Sequence, residues 1–480
     1  MRRGILLAAL LFVSACGKGD AVPSNVVSVD TGQLRGDQRA GHLVFQGVPY
    51  ASAQRWQPPA RAAAWSGVRD VLKPGSPCPQ VGSSYSATKS TDEDCLFLNV
   101  TTPSVTGRKP VMVWVHGDGA IGAGHYFNAE RLARQGDVVV VTLNYRMGVF
   151  GGFGLPGLAD SGEFGLLDQR AALEWVQRNI SAFGGDPGNV TLFGVSFGAT
   201  AVSAHLIGQS RLFHRAIMHS SFTLVDVPKG AWYPDLEALP SLAWRPVAEI
   251  QEIGAMITRE LGCADVECLR QLPVAKLLEH PQIMNIFQPV GYGGSLLPRP
   301  PAESLEAGEF ADVPILAGAT RDEHTSFVEL FRPEPMSTED YSRLVREAFP
   351  DRAAEIEREY PAGSFASPKE AWARVLTDRV WARATFRQNT LYAAKAPVYA
   401  FEFAARDARH SADIDYLFPD DDFAHDRGLS DHMIKTWTDF ARGGSPGWPR
   451  FAEGQYVQSL APGAIGRVDY AAEHKLGFWN

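Results

Sequence analysis

Two runs in the first third of the chain are apolar at nearly every position: PVMVWVHG at Pro110–Gly117 and DVVVVTLNY at Asp137–Tyr145. β-Branched residues dominate them, and unbroken apolar runs of this length predict strands buried on both faces. The pattern then changes period. In FGLLDQRAALEWVQRNISAFGG, residues 164–185, Leu166, Leu173, Val176 and Ile180 return at helical spacing, and a Gly pair stops the helix. NVTLFGVS (Asn189–Ser196) reads as another strand and ATAVSAHLIG (Ala199–Gly208) as a helix of small residues. Pro314–Ala319 and the PVYAFEF run at 397–403 add two later strands. Strands alternating with helices predict an α/β fold, with a mostly parallel central sheet and helices on both faces.

The first residues fall outside that pattern. Arg2 and Arg3 precede ILLAALLFV, an apolar run too short to span a bilayer, which reads as the core of a secretion signal. It ends in VSAC, which resembles a bacterial lipobox. The expectation is a signal peptide over 1–15, a lipid-bearing Cys16 and a polar tether over 16–25, followed by one domain over 26–480. An ordinary cleavable signal is the rival reading, with the protein periplasmic or secreted. Gly17 after the Cys favours the outer membrane over retention at the inner one.

Five Cys support export. With Cys16 set aside for lipid, Cys78, Cys95, Cys263 and Cys268 allow three pairings, and the nearest-neighbour choice closes two local loops. Such staples suit an oxidising compartment. A metal site is the alternative, but no His cluster accompanies these Cys at ligand spacing. A net charge of −9 disfavours nucleic acid as a partner.

The chemistry centres on GVSFGAT, Gly194–Thr200. A G-x-S-x-G frame between a strand and a helix predicts a nucleophile elbow, with Gly194 and Gly198 needed for close approach and Ser196 as nucleophile. A Ser nucleophile needs a base, and the base an orienting acid, in the chain order Ser, acid, His. Glu323 follows the Pro314–Ala319 strand, and His410 lies in the loop after PVYAFEF. His324 would share a turn with its own orienter, so it is expected at the pocket rim or surface. His205, His214 and His219 follow the nucleophile too closely and belong to its helix and the next strand. HGDGAIGAG after VMVWV supplies oxyanion amides at Asp118 and Gly119, with Phe197 N–H completing the set.

These motifs are identified as those of the type-B carboxylesterase and cholinesterase family, on the α/β-hydrolase fold. FQGVPYA, EDCLFLNV, VVVVTLNYRMGVFG, GGDPGNVTLFG, LFHRAIMHS and HKLGFW carry the resemblance, from about Val26 to Asn480. It implies loop and helix excursions over an active-site gorge and disulfides Cys78–Cys95 and Cys263–Cys268. It implies Glu323 as acid, His410 as base, and structural ion pairs Arg55–Glu93 and Arg146–Asp168. The family's third disulfide is not represented, because Leu476 stands where many members carry Cys.

Two departures bear on catalysis. The usual GESAG elbow has become GVSFG, with Val195 and Phe197, and the usual HGGGF loop has become HGDGA. Phe197 keeps its amide but brings bulk to the acyl side. A carboxylate ~5 Å from a developing oxyanion, at an effective dielectric of ~20, costs roughly 3 kcal/mol. That is comparable to losing one oxyanion donor, about 2.7–4 kcal/mol. Asp118 must therefore point away, be neutral, be paired (His116 being one candidate), or slow the enzyme. Val195 and the lack of Trp in the 78–95 loop disfavour choline esters, since a quaternary ammonium needs an aromatic face. His116, Val195, Trp232 and Tyr233 are substrate-pocket candidates, and the Asp226–Trp244 segment is expected to border the gorge. The expected function is hydrolysis of small or medium carboxylic esters without cofactor or metal. The alternative is a catalytically silent binding module of the same family. Oligomeric state is not legible.

Overall fold

A computed structural model describes residues 25–82, 88–280, 282–420 and 426–479. The secretion signal, Cys16 and nearly all of the tether lie outside the described residues. An eleven-stranded sheet organises the chain. In chain order its strands are β1 (Asp37–Arg39), β2 (His42–Pro49), β3 (Phe97–Thr102), β4 (Lys109–Val115) and β5 (Val139–Leu143). They continue with β6 (Gly185–Val195), β7 (Arg215–His219), β8 (Ile315–Thr320), β9 (Val398–Phe403), β10 (Val457–Leu460) and β11 (Gly466–Val468). The spatial order is β11-β10-β9-β8-β7-β6-β4-β5-β3-β2-β1. Pairing is parallel from β5 across β4, β6, β7, β8 and β9 to β10, and antiparallel at both margins.

The unbroken apolar runs have a simple cause. Successive side chains of a strand point to opposite faces, and both faces here are covered. Val111, Val113 and Val115 of β4 enter one core cluster, and Met112 and Trp114 enter another. The larger cluster includes Ala172, Leu173 and Val176 of helix Phe164–Asn179 and most of helix Phe197–Ile207. The second cluster is closed by Met433, Ile434, Trp437 and Phe440 of helix Arg427–Gly443. Asp426 caps that helix by accepting the Leu429 N–H, and Gly444 ends it at φ 77°. Helix Phe197–Ile207 is buried at every position, which explains its lack of a polar stripe.

Both local disulfides, Cys78–Cys95 and Cys263–Cys268, are present. So are the ion pairs. Arg55 meets Glu93 through two hydrogen bonds of 2.8 and 2.6 Å, and Arg146 grips the fully buried Asp168 through two of 2.8 Å. Arg146 N–H also donates to Asp168, so this pair locks the turn after β5 onto helix Phe164–Asn179. Among the described residues no helix is long and apolar enough to cross a membrane.

Candidate active site

Four parallel strands, β4, β6, β8 and β9, end on one edge of the sheet, and the site is assembled from the loops that follow them. β6 turns directly into helix Phe197–Ile207 at Ser196, which takes φ 59° and ψ −126°. A non-glycine residue in that region is strained and needs outside support. The Ser196 N–H donates to the His219 carbonyl at 2.9 Å, and Thr200 Oγ1 donates to the Ser196 carbonyl at 3.2 Å. The flanking glycines are obligatory. A Cβ on Gly198 would stand 2.1 Å from the Val115 carbonyl oxygen, and one on Gly194 would stand 2.7 Å from it.

Three residues from three distant loops converge. His410 Nε2 lies 3.0 Å from Ser196 Oγ, and His410 Nδ1 lies 2.5 Å from Glu323 Oε2. With Nδ1–H donating to the carboxylate, Nε2 is left to accept the Ser196 hydroxyl proton. Glu323 is fully buried, and its other oxygen accepts the Thr320 N–H at 2.8 Å and the Ser220 hydroxyl. The carboxylate therefore cannot rotate away from the imidazole without giving up these bonds.

Opposite Ser196, Asp118 and Gly119 take successive left-handed conformations at φ 70° and 78°. Their amides and that of Phe197 have no intramolecular acceptor among the described residues. Gly117 must lack a side chain, because a Cβ there would meet the Val195 carbonyl oxygen at 2.8 Å. The loop is held from outside by the Gln288 side-chain amide, which donates to the Asp118 carbonyl, and by Gly148 N–H on the Gly119 carbonyl at 3.0 Å.

The Asp118 carboxylate is not paired with His116. Its Oδ1 turns back into its own loop and accepts the Ala120 and Ile121 amides at 3.1 and 3.2 Å. Burial raises its pKa against the opposing pull of those two amides. His116 instead lies flat on the Tyr145 ring at 4.5 Å and hydrogen-bonds the Gly117 carbonyl. Burial pushes its pKa down to about 4, so it is neutral at ordinary pH.

His324 corrects an expectation. It is not at the rim or the surface but fully buried. Its Nε2 donates to the Ala231 carbonyl at 2.9 Å and its Nδ1 accepts the Trp381 indole N–H at 3.0 Å. Burial pushes it down to about 3, which fits an uncharged tether holding the Asp226–Trp244 segment against the site. His205 sits on the elbow helix, bonded to Gln169, and His219 ends β7.

An aromatic wall surrounds His410: Trp381 at 4.8 Å, Phe327 at 4.9 Å and Phe222 at 5.8 Å between ring centres. Trp232 packs behind it on Phe327 at 4.4 Å, whereas Tyr233 is 43% exposed over Phe331. Trp244 donates its indole N–H to the Thr223 carbonyl and serves the body of the fold. Val195 is buried in the second core cluster rather than open to the site.

Sequence reasoning missed Ser220, Phe222 and Trp381. Ser220 carried a signal, since it directly follows β7, the strand between those leading to Ser196 and Glu323. Trp381 lies in a π-helical turn, Thr377–Ala382, whose wider i→i+5 loop has no sequence signature.

The arrangement can transfer a proton from a hydroxyl to an imidazole beside three free amides. The carboxylesterase family profile matches residues 23–463. The chain belongs to the carboxylesterase family. Its members are serine hydrolases on the α/β-hydrolase fold, and this chain is an enzyme of that kind. It is 31% identical to a cocaine esterase of Oryctolagus cuniculus, over 95% of this chain and 96% of that relative. It is 32% identical to a fumonisin B1 esterase of Sphingopyxis macrogoltabida, over 85% and 81%. A para-nitrobenzyl esterase of Bacillus subtilis is 30% identical, over 89% and 93%. Among the described residues of this carboxylesterase, no three His, Cys, Asp or Glu side chains cluster to hold a metal.

Proposed function

We propose that this carboxylesterase cleaves small or medium carboxylic esters through Ser196, His410 and Glu323. The supporting observation is the relay of 3.0 and 2.5 Å from Ser196 Oγ through His410 to Glu323. Ser196 Oγ attacks the ester carbonyl as His410 Nε2 takes its proton. The oxyanion is held by the amides of Asp118, Gly119 and Phe197. His410 then protonates the leaving alkoxide as the ester C–O bond breaks, leaving an acyl-Ser196 enzyme. Water, deprotonated by His410, attacks the acyl carbonyl; the carboxylic acid leaves and Ser196 regains its proton. Glu323 holds the imidazole tautomer and stabilises the imidazolium. The aromatic wall offers apolar substrates a dry surface.

The N-terminal reading belongs to the same proposal: a signal over 1–15, a lipid on Cys16, and a single catalytic domain over 26–480 held at the cell envelope. The two disulfides agree with an oxidising compartment. Loss of membrane association in Cys16→Ser, with the wild type pelleting with membranes, is the expected result.

The enzymatic test is turnover of p-nitrophenyl acetate and butyrate beside Ser196→Ala, with a fluorophosphonate probe read by intact mass. One adduct on the wild type and none on Ser196→Ala is expected. An unlabelled wild type that cleaves no ester sinks the triad reading and favours the binding-module alternative.

A further inference from the structure

Phe197 directly follows the nucleophile, and its ring lies between Phe222 and the oxyanion loop. The tetrahedral carbon has four substituents. One is Ser196 Oγ, one is the oxyanion on the amides, and one is the leaving oxygen, which must face His410 Nε2 to be protonated. The fourth, the acyl chain, is left with the side bounded by the Phe197 ring. That ring packs on Phe222 at 4.8 Å and against the oxyanion loop, where a Cβ on Gly119 would meet Phe197 Cγ at 3.3 Å. Behind it lies a cavity of about 50 Å³ whose lining includes Gly119, Gly148, Ala201, Phe287 and Gln288 as well as Phe197 itself. Six glycines and Ala201 leave the space open among larger residues such as Tyr145, Met147 and Leu166, and Phe197 lines it while Ser196 does not.

We infer that Phe197 is the specificity-determining residue for acyl length. Its ring caps the acyl side at short chains and withholds the cavity behind it as an acyl subsite. This rests on the Ser196–His410–Glu323 reading. The inference separates the residue's two parts: its amide serves the oxyanion, and its side chain sets which acyl groups reach that amide. A single methylene in an apolar pocket changes kcat/KM by roughly 10–200-fold, so the discrimination is large enough to read.

The experiment is the ratio of kcat/KM for p-nitrophenyl hexanoate to that for p-nitrophenyl acetate, each pair measured on one sample so that the folded fraction cancels. Phe197→Ala is expected to raise this ratio by about tenfold or more, and Phe197→Leu to raise it less. Phe197→Leu also serves as the test should Phe197→Ala not fold. Ala201→Val added to Phe197→Ala places methyls in the cavity from the helix side and is expected to return the ratio towards wild type. A ratio left unchanged or lowered by both Phe197 variants overturns the inference while leaving the triad intact. So does a raised ratio that Ala201→Val does not reverse, because the cavity is then not the acyl site. A wild type that cleaves neither ester sinks the triad reading itself, and this inference with it.

Discussion

Of the imidazoles that contact carboxylates in this molecule, His410 and His474 make an instructive pair. His410 has Glu323 on Nδ1 and the Ser196 hydroxyl on Nε2. His474, near the C-terminus, lies between Asp378 at 2.7 Å and Glu402 at 2.5 Å, one on each nitrogen. Burial alone would lower the His474 pKa, but the hydrogen bonds and charges of Asp378 and Glu402 outweigh it and raise the value. A carboxylate stands ready to accept from each of its nitrogens, which favours the protonated ring. Arg374 and Tyr360 also bond Asp378, and Trp479 donates to Tyr360, so the clasp ties the last residues to the π-helical turn. The two imidazoles differ at the second nitrogen, which faces the Ser196 hydroxyl in His410 and a second carboxylate in His474.

The largest expected effect breaks the first assembly. Ser196→Ala should lower kcat by about 10⁴–10⁶-fold with little change in Tm, read by steady-state kinetics and calorimetry. Glu323→Gln comes next. It keeps the shape but presents the wrong partner to Nδ1–H, and a loss near 10⁴-fold is expected in kcat.

The same kind of change at the other imidazole should act on folding. His474→Leu leaves Glu402 buried without its partner while Asp378 keeps Arg374, and a loss of about 3–5 kcal/mol in urea unfolding is expected. Activity per folded molecule, counted by fluorophosphonate titration, should stay near wild type. Smaller still is Asp118→Gly. The Ala120 and Ile121 amides already hold that carboxylate, so a gain in kcat/KM of up to about tenfold is expected rather than the full cost of a bare charge. No gain would mean the carboxylate is silent in the transition state.

The least effect concerns pH. His474 is raised above its unfolded value, near 6.5, so its stabilisation is complete below that pH and is lost as pH climbs through the raised value. The Tm gap between wild type and His474→Gln should therefore narrow on the alkaline side. His324 and His116 are lowered, to about 3 and about 4, so their stabilisation is complete above pH ~6.5 and fades as pH falls towards those values. Melting curves from pH 4 to 9 test both signs.

The elements that sequence made legible share one property: their constraint is local. The strands showed as apolar runs because both faces are covered, and the elbow showed because Gly194 and Gly198 admit no side chain. The positions of Ser196, Glu323 and His410 after β6, β8 and β9 followed from the same logic. What was hidden depends on segments far apart in the chain. His324 looked like a rim residue from its place beside Glu323, yet Ala231 and Trp381 enclose it from two other elements. Whether Asp118 faced His116 or its own loop turned on a left-handed φ that sequence does not display. Ser220 was legible only in part, because its contact with Glu323 spans 103 residues.

That reach along the chain has a kinetic consequence. Ser196 and His410 are 214 residues apart, and Glu323 and His410 are 87 apart. Closing such loops is slow compared with forming helices or neighbouring strands. In renaturation from denaturant the far-ultraviolet signal should return first and turnover last. The Ser196–His410–Glu323 relay thus doubles as a reporter on the final docking of β8 on β7 and of β9 on β8.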